Sequence, residues 1–258
     1  MNIFWTLFKK EWREAWHDKK LIWMPVVLSL LAISQPISQY YMPEILERAG
    51  NLPEGAVIQI PMPPGEEVLV GTLSQFGLIG TAIFVLGAMS LIADERNSGS
   101  LILLMARPVH ALQYIGSKWL SHALLYLLSF ALSYGLAYYY TNLLFNDVAL
   151  IRFIKSFAAY SIWIMFVLTV TLLAGTLLKK SAGIAGTSLV AAAAIALSGS
   201  LFPKYMGWSP SNAQDQAGSM LMTGKWADPF ETMATTSIIL IACMFCAACV
   251  VFKKYENH

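Results

Sequence analysis

Three cysteines, Cys243, Cys246 and Cys249, recur every third residue within one apolar run. At that spacing soft thiolates on one helix face could hold copper(I). The same spacing suits small apolar residues packing beside Ala242, Ala247 and Ala248, and this plainer use is the one adopted. An odd cysteine count confined to a hydrophobic segment makes no disulfide framework. His122 is the single titratable side chain inside an otherwise charge-free stretch. It could relay protons, but a solvated or helix-bonded histidine near a span end is the simpler use. Gly218 to Lys225 resembles a phosphate loop, with five residues between its glycines and Trp226 where a magnesium-binding hydroxyl belongs. A working loop needs four residues there and a Ser or Thr after the lysine. Neither an HExxH helix nor a GxSxG elbow is present. The chain is therefore expected to catalyse nothing, with no metal site and no cofactor of its own.

The elements that would position such residues are apolar. Of 258 residues 57% are hydrophobic and 12% charged, against roughly 25% charged in a soluble domain. A net charge of +2 is too small to mark a nucleic-acid surface, so no nucleic-acid partner is expected. Six intervals lack Asp, Glu, Lys and Arg altogether: 21–43, 68–93, 119–146, 156–178, 181–203 and 232–252. Each matches the ~20 apolar residues that span a bilayer.

Placing both termini in the cytoplasm puts 12 of the 17 Lys and Arg on inner segments, as the positive-inside rule requires. The expected fold class is an all-α polytopic membrane protein of the cell membrane: six transmembrane helices behind an amphipathic interfacial helix at 1–20. One membrane domain covers 1–258. In the leading helix Phe4, Leu7, Phe8, Trp12, Ala15 and Trp16 share a face, with Lys9, Lys10, Arg13, Glu14, His17 and Lys20 opposite. Such a helix suits the membrane interface, anchored in lipid by Phe4, Leu7, Phe8, Trp12 and Trp16. Its aromatic, mixed-charge character is a poor signal-peptide start, although Ala32-Ile33-Ser34 offers a small-residue cleavage site.

Two outer segments carry structure of their own. Pro43, Pro53, Pro61, Pro63 and Pro64 punctuate the first, predicting a short helix near 44–49 and then extended chain. The loop at 204–231 mixes Trp208, Trp226, Met220 and Met222 with polar residues, which predicts a piece dipping into or along the outer leaflet. Small residues Ala182, Gly183, Gly186 and Ala191 to Ala194 give the fifth span a face fit for close helix approach.

The spans hold no carboxylate or lysine with which to couple transport to protons, so energy is expected from another subunit. Sodium coupling through carbonyl and hydroxyl oxygens leaves no such trace and stays open.

The segment 94–112 is where a partner could act. Ser98 or Ser100 can cap a short helix, Gly99 loosens its start and Pro108 ends it. Leu101, Leu104 and Met105 then share one apolar face, too short to fold without a partner surface. Glu95, Gly99, Ser100, Leu101, Leu104, Met105 and Pro108, followed by Lys118, resemble the E-x-x-x-G-T-L-x-x-L-L-x-x-P…K segment of ABC-2 type transporter permeases. Serine stands here for threonine and Met105 for leucine. Ile102 and Ala111 occupy positions where that family often carries charge. The resemblance implies a permease subunit of an ABC exporter. Its coupling helix (Glu95, Gly99, Ser100, Leu101, Leu104, Met105, Arg107, Pro108) would dock on a cytosolic ABC ATPase subunit that binds ATP and Mg. A second permease subunit, identical or not, would complete the pathway. An ATP-independent channel or carrier, or a membrane-bound sensor, is the alternative from the residues alone. The transported substrate is not specified by any of them.

Overall fold

A computed structural model describes residues 3–49, 61–101 and 109–256, and all regular structure among them is helical. In chain order the helices are α1 (Ile3–His17), α2 (Lys20–Ala49) and α3 (Gly65–Gln75), then a π-helical turn at Phe76–Gly80 and α4 (Thr81–Ala88). After these come α5 (Ala93–Asn97), α6 (Ala111–Leu144), α7 (Leu150–Leu177) and α8 (Ser181–Leu201). A 3₁₀ turn at Pro210–Asn212 precedes α9 (Ala213–Thr223) and α10 (Phe230–Glu256). Six stretches are long and apolar enough to cross a membrane: Lys20–Ile45, Gly65–Asn97, Ala111–Leu144, Leu150–Leu177, Ser181–Leu201 and Phe230–Lys253.

These spans outrun the charge-free intervals at several ends, and the reason is physical. Glu95 and Lys118 belong to the helices because each finds its counter-charge inside the bundle. A cut placed at the first ionisable residue therefore stops too early. The short helix expected near 44–49 is also corrected: α2 runs unbroken to Ala49 with Pro25, Pro36 and Pro43 inside it. Each proline removes one backbone hydrogen bond. In an apolar medium, however, leaving the helix would strand several more. Ser34 and Ser38 turn their hydroxyls onto the carbonyls of Leu31 and Gln35, at 2.8 and 3.1 Å.

The core sits around the middle spans. In α7 67% of the spanning window is buried, against 22% in α2 and 17% in α10, so the first and last spans form the outer wall. Aromatic rings fill the centre. Phe130 of α6 stacks on Tyr134 and Phe157 with centroids 5.3 and 5.1 Å apart, and meets Phe76 of the π turn edge-on at 5.2 Å. Two of the polar tips inside this core are paired: Tyr134 Oη lies 2.9 Å from Ser156 Oγ, and Trp163 Nε1 donates to Thr81 Oγ1 at 2.9 Å. Thr81 Oγ1 in turn donates to the Phe76 carbonyl at 3.4 Å, covering an acceptor that the wide turn loosens.

The apolar loop at 204–231 is partly helical and packs on α3 and α7. Pro210 opens the 3₁₀ turn that leads into α9. The helix buries Ala213, Ala217, Met220 and Leu221, and ends at Gly224 with φ 72°. A Cβ at Gly77 would lie 2.2 Å from Gln214 Oε1, the tip of a flexible side chain on α9.

Candidate functional site

The chemistry-bearing residues converge where α1, α5, α6 and α10 meet. On α1 the inward face is Leu7, Glu11 and Ala15, four residues apart, so a carboxylate stands in the middle of the apolar stripe. Glu11 is 3% exposed and Lys118 of α6 1% exposed. Lys118 Nζ donates to Glu11 Oε1 at 2.8 Å and to Glu95 Oε1 at 2.9 Å. Lys10 Nζ donates to the same Glu95 oxygen and lies 3.0 Å from Glu14 and 3.6 Å from Glu11. The hydroxyl of Tyr114 donates to the other Glu95 oxygen, Oε2. Phe252 of α10 stacks on the Tyr114 ring at 4.5 Å and 14°. One carboxylate thus ties three helices, and the ring beneath it reaches a fourth.

Desolvating an ion costs several kcal/mol, and only close counter-charges with satisfied hydrogen bonds offset that. Here both buried carboxylates share the Lys118 ammonium. Burial pulls the Lys10 pKa down and the Lys118 charge adds to that; the hydrogen bond and charge of Glu95, with Glu11 behind, outweigh both and hold it above its ordinary value. Lys10 therefore carries its charge throughout the neutral range.

Oxygens of Glu11, Glu14 and Glu95 lie within 4.8 Å of one another, an arrangement that could hold a metal ion. The Lys10 ammonium already touches all three carboxylates, so the cluster has an internal cation in that position. A hollow of about 270 Å³ borders them and also reaches His122. His122 Nδ1 lies 3.1 Å from the Lys118 carbonyl and 3.2 Å from Ser121 Oγ, while Nε2 is buried with no partner.

Next to Glu95, Arg96 reaches sideways. Its Nη1 donates to the Leu178 carbonyl at 2.8 Å and Nη2 to the Thr176 carbonyl at 3.4 Å. Those carbonyls end α7, where the last turn of a helix lacks intrahelical donors. The short helix α5 is consequently fastened to α1 and α6 by Glu95 and to α7 by Arg96.

The residues singled out from sequence fall into three groups. Glu95 is buried with its carboxylate turned into the bundle. Gly99 takes the left-handed conformation, φ 74°, with open space where a Cβ would stand. Ser98 and Ser100 are exposed, their hydroxyls 3.0 Å apart, and Ser100 starts a further helix. Leu101 is half-buried against the core. Leu104, Met105, Arg107 and Pro108 lie outside the described residues. On α1, Leu7 is buried, Phe4, Phe8 and Trp12 are half-buried, and Trp16 is exposed. The free thiols of Cys243 and Cys246 are exposed on α10. Lys225, the lysine of the near-phosphate loop, follows the α9 end at Gly224, so Gly218–Thr223 is helix. Glu11 was missed by sequence reasoning although its signal is simple: it lies four residues from Leu7 and four from Ala15.

A family model described as ABC-2 family transporter protein matches residues 5–255. The chain belongs to that family. It is a multi-pass transmembrane protein, and subunits of this kind are typically the non-catalytic membrane part of a transporter. It is also 40% identical over 258 residues to the uncharacterized transmembrane protein YxlG of Bacillus subtilis (strain 168), with both chains covered in full. Membership gives the buried junction a setting: the Glu95 to Lys118 stretch is the segment that resembles the family motif.

Proposed function

We propose that this ABC-2 chain is the permease subunit of an ATP-driven exporter, in the cell membrane with both termini cytoplasmic. The segment 94–112 is its coupling helix region, and it docks on a separate ABC ATPase that carries ATP and Mg. A second permease subunit completes the pathway. The observation that carries this reading is the double fastening of the segment: Glu95 to Lys10 and Lys118, Arg96 to the end of α7. A push delivered beyond Gly99 cannot be absorbed locally, because the residues before it are tied to α1, α6 and α7. The motion of an ATPase would reach three helices at once.

This reading divides the labour within the motif. Glu95 turns its carboxylate to Lys10 and Lys118 and in this reading serves to hold α5. Contact with the ATPase is left to the apolar face of Leu101, Leu104 and Met105, with Gly99 setting the angle at which that face leaves α5. Replacing Leu104 or Met105 by Asp is expected to abolish co-purification of the ATPase while membrane insertion persists. Undiminished co-purification would overturn the docking role. Transport by the purified chain in liposomes without any ATPase would favour a channel or carrier instead.

A further inference from the structure

Lys9 and Arg13 stand one turn apart on α1, both exposed and with no ion pair among the described residues. Like charges at that spacing disfavour the helix, so an external anion between them would relieve the repulsion. Beside them Phe8 and Trp12 stack with ring centroids 6.2 Å apart and planes at 18°. Together with Leu124 of α6 these four residues line a groove of about 480 Å³, apolar along its wall and cationic at its rim.

Leu124 is not isolated. Leu128, Leu132 and Leu136 follow it at four-residue intervals, all exposed along the spanning helix. Residues so spaced lie on one helix face, and in a membrane that face meets acyl chains. The groove is therefore the head of a lipid-facing leucine stripe, and two unpaired cations stand where the stripe ends. A soluble anion has no use for the stripe, and a neutral lipid has none for the cations.

We propose that the groove between α1 and α6 seats one anionic phospholipid. Its phosphate lies between Lys9 and Arg13, and its glycerol and upper acyl chain lie over Phe8, Trp12 and Leu124. This rests on the cytoplasmic placement of α1 and not on the ATPase. Anionic lipids of the inner leaflet meet basic residues at that depth, each such residue contributing about fivefold in affinity. The lipid would hold α1 against the bilayer from outside while Glu11 holds it from within.

The test is native mass spectrometry of the full-length purified protein, titrated with phosphatidylglycerol, phosphatidylcholine or inorganic phosphate. Wild-type protein is expected to bind its first phosphatidylglycerol about 10-fold or more tighter than phosphatidylcholine, from about fivefold per charge. K9Q/R13Q should bring the two lipids level. K225Q, on the far side of the chain, should leave the preference intact. Leu124→Ser should weaken both lipids together. A preference that survives K9Q/R13Q, that vanishes equally in K225Q, or that millimolar inorganic phosphate abolishes, would overturn the proposal. Co-purification of the ATPase is read on the same variants and should be unchanged, so failure of the exporter reading and failure of the lipid site are distinguishable.

Discussion

Glu11 and Lys118 are 107 residues apart in sequence and 2.8 Å apart in space, and neither is open to solvent. The pair joins the first helix of the chain to the third span from inside the bundle. Lys118 also bonds Glu95, so the first helix and α5 share one ammonium.

Removing that ammonium leaves two carboxylates buried. Lys118→Met is expected to lower stability by about 3–5 kcal/mol, the cost of breaking a buried pair on one side. Adding Glu11→Gln should recover a large part of the loss, because Glu95 keeps Lys10 and Tyr114. Thermal unfolding of the detergent-purified variants measures both, and a double variant no more stable than the single one would contradict the pairing.

Arg96 closes the last turn of α7 with two charged hydrogen bonds, of 2.8 and 3.4 Å. Arg96→Gln should loosen that turn, at about 1.5–3 kcal/mol per charged bond at most. Amide hydrogen exchange should accelerate at residues 174–178 and stay unchanged in the N-terminal half of α7.

Gly99 has φ 74° and open space around its missing Cβ, so any penalty of substitution is conformational and not a clash. Gly99→Ala should cost about 1–2 kcal/mol. Gly99→Asn should cost less, because asparagine tolerates this backbone. The order Gly, Asn, Ala in melting temperature checks the claim, and in ATPase co-purification it tests the docking angle.

Lys10 gains a hydrogen bond and two carboxylate neighbours on folding, and these outweigh its burial to raise its pKa. A raised lysine pKa contributes stability in full below the unfolded value, about 10.4, and loses it as pH climbs through the folded value. Docking of α1, followed by limited proteolysis of the first helix, should be flat through neutral pH and weaken only in that alkaline window. Lys10→Met should remove the Lys10 contribution to that alkaline weakening. A weakening near pH 6 would assign the junction to another group.

Much of this was legible in the chain itself. Long charge-free intervals gave six spans because the bilayer core tolerates few unpaired ions. The helices run on past those intervals to Glu95 and Lys118, ions that pair inside the bundle. Whether a charge has a partner is a long-range fact, and no local window contains it. Glu11 was readable from its place between Leu7 and Ala15, yet its partner was not. Prolines suggested a break after Pro43, whereas tertiary and solvent context kept α2 helical to Ala49. The apolar loop after the fifth span showed its apolar character in composition alone, but its packing on α3 and α7 is a long-range fact that no local window contains.

The π turn at Phe76–Gly80 has a consequence for which faces the second span presents. One surplus residue in a helix advances everything beyond it by about 100°. Before the turn, α3 rests chiefly on α2 and α9; after it, α4 rests chiefly on α7 and α8. The span is therefore two shafts with offset keyways, each meshed with a different pair of neighbours. Removing one residue from the turn would rotate the α4 face by about 100° relative to α3.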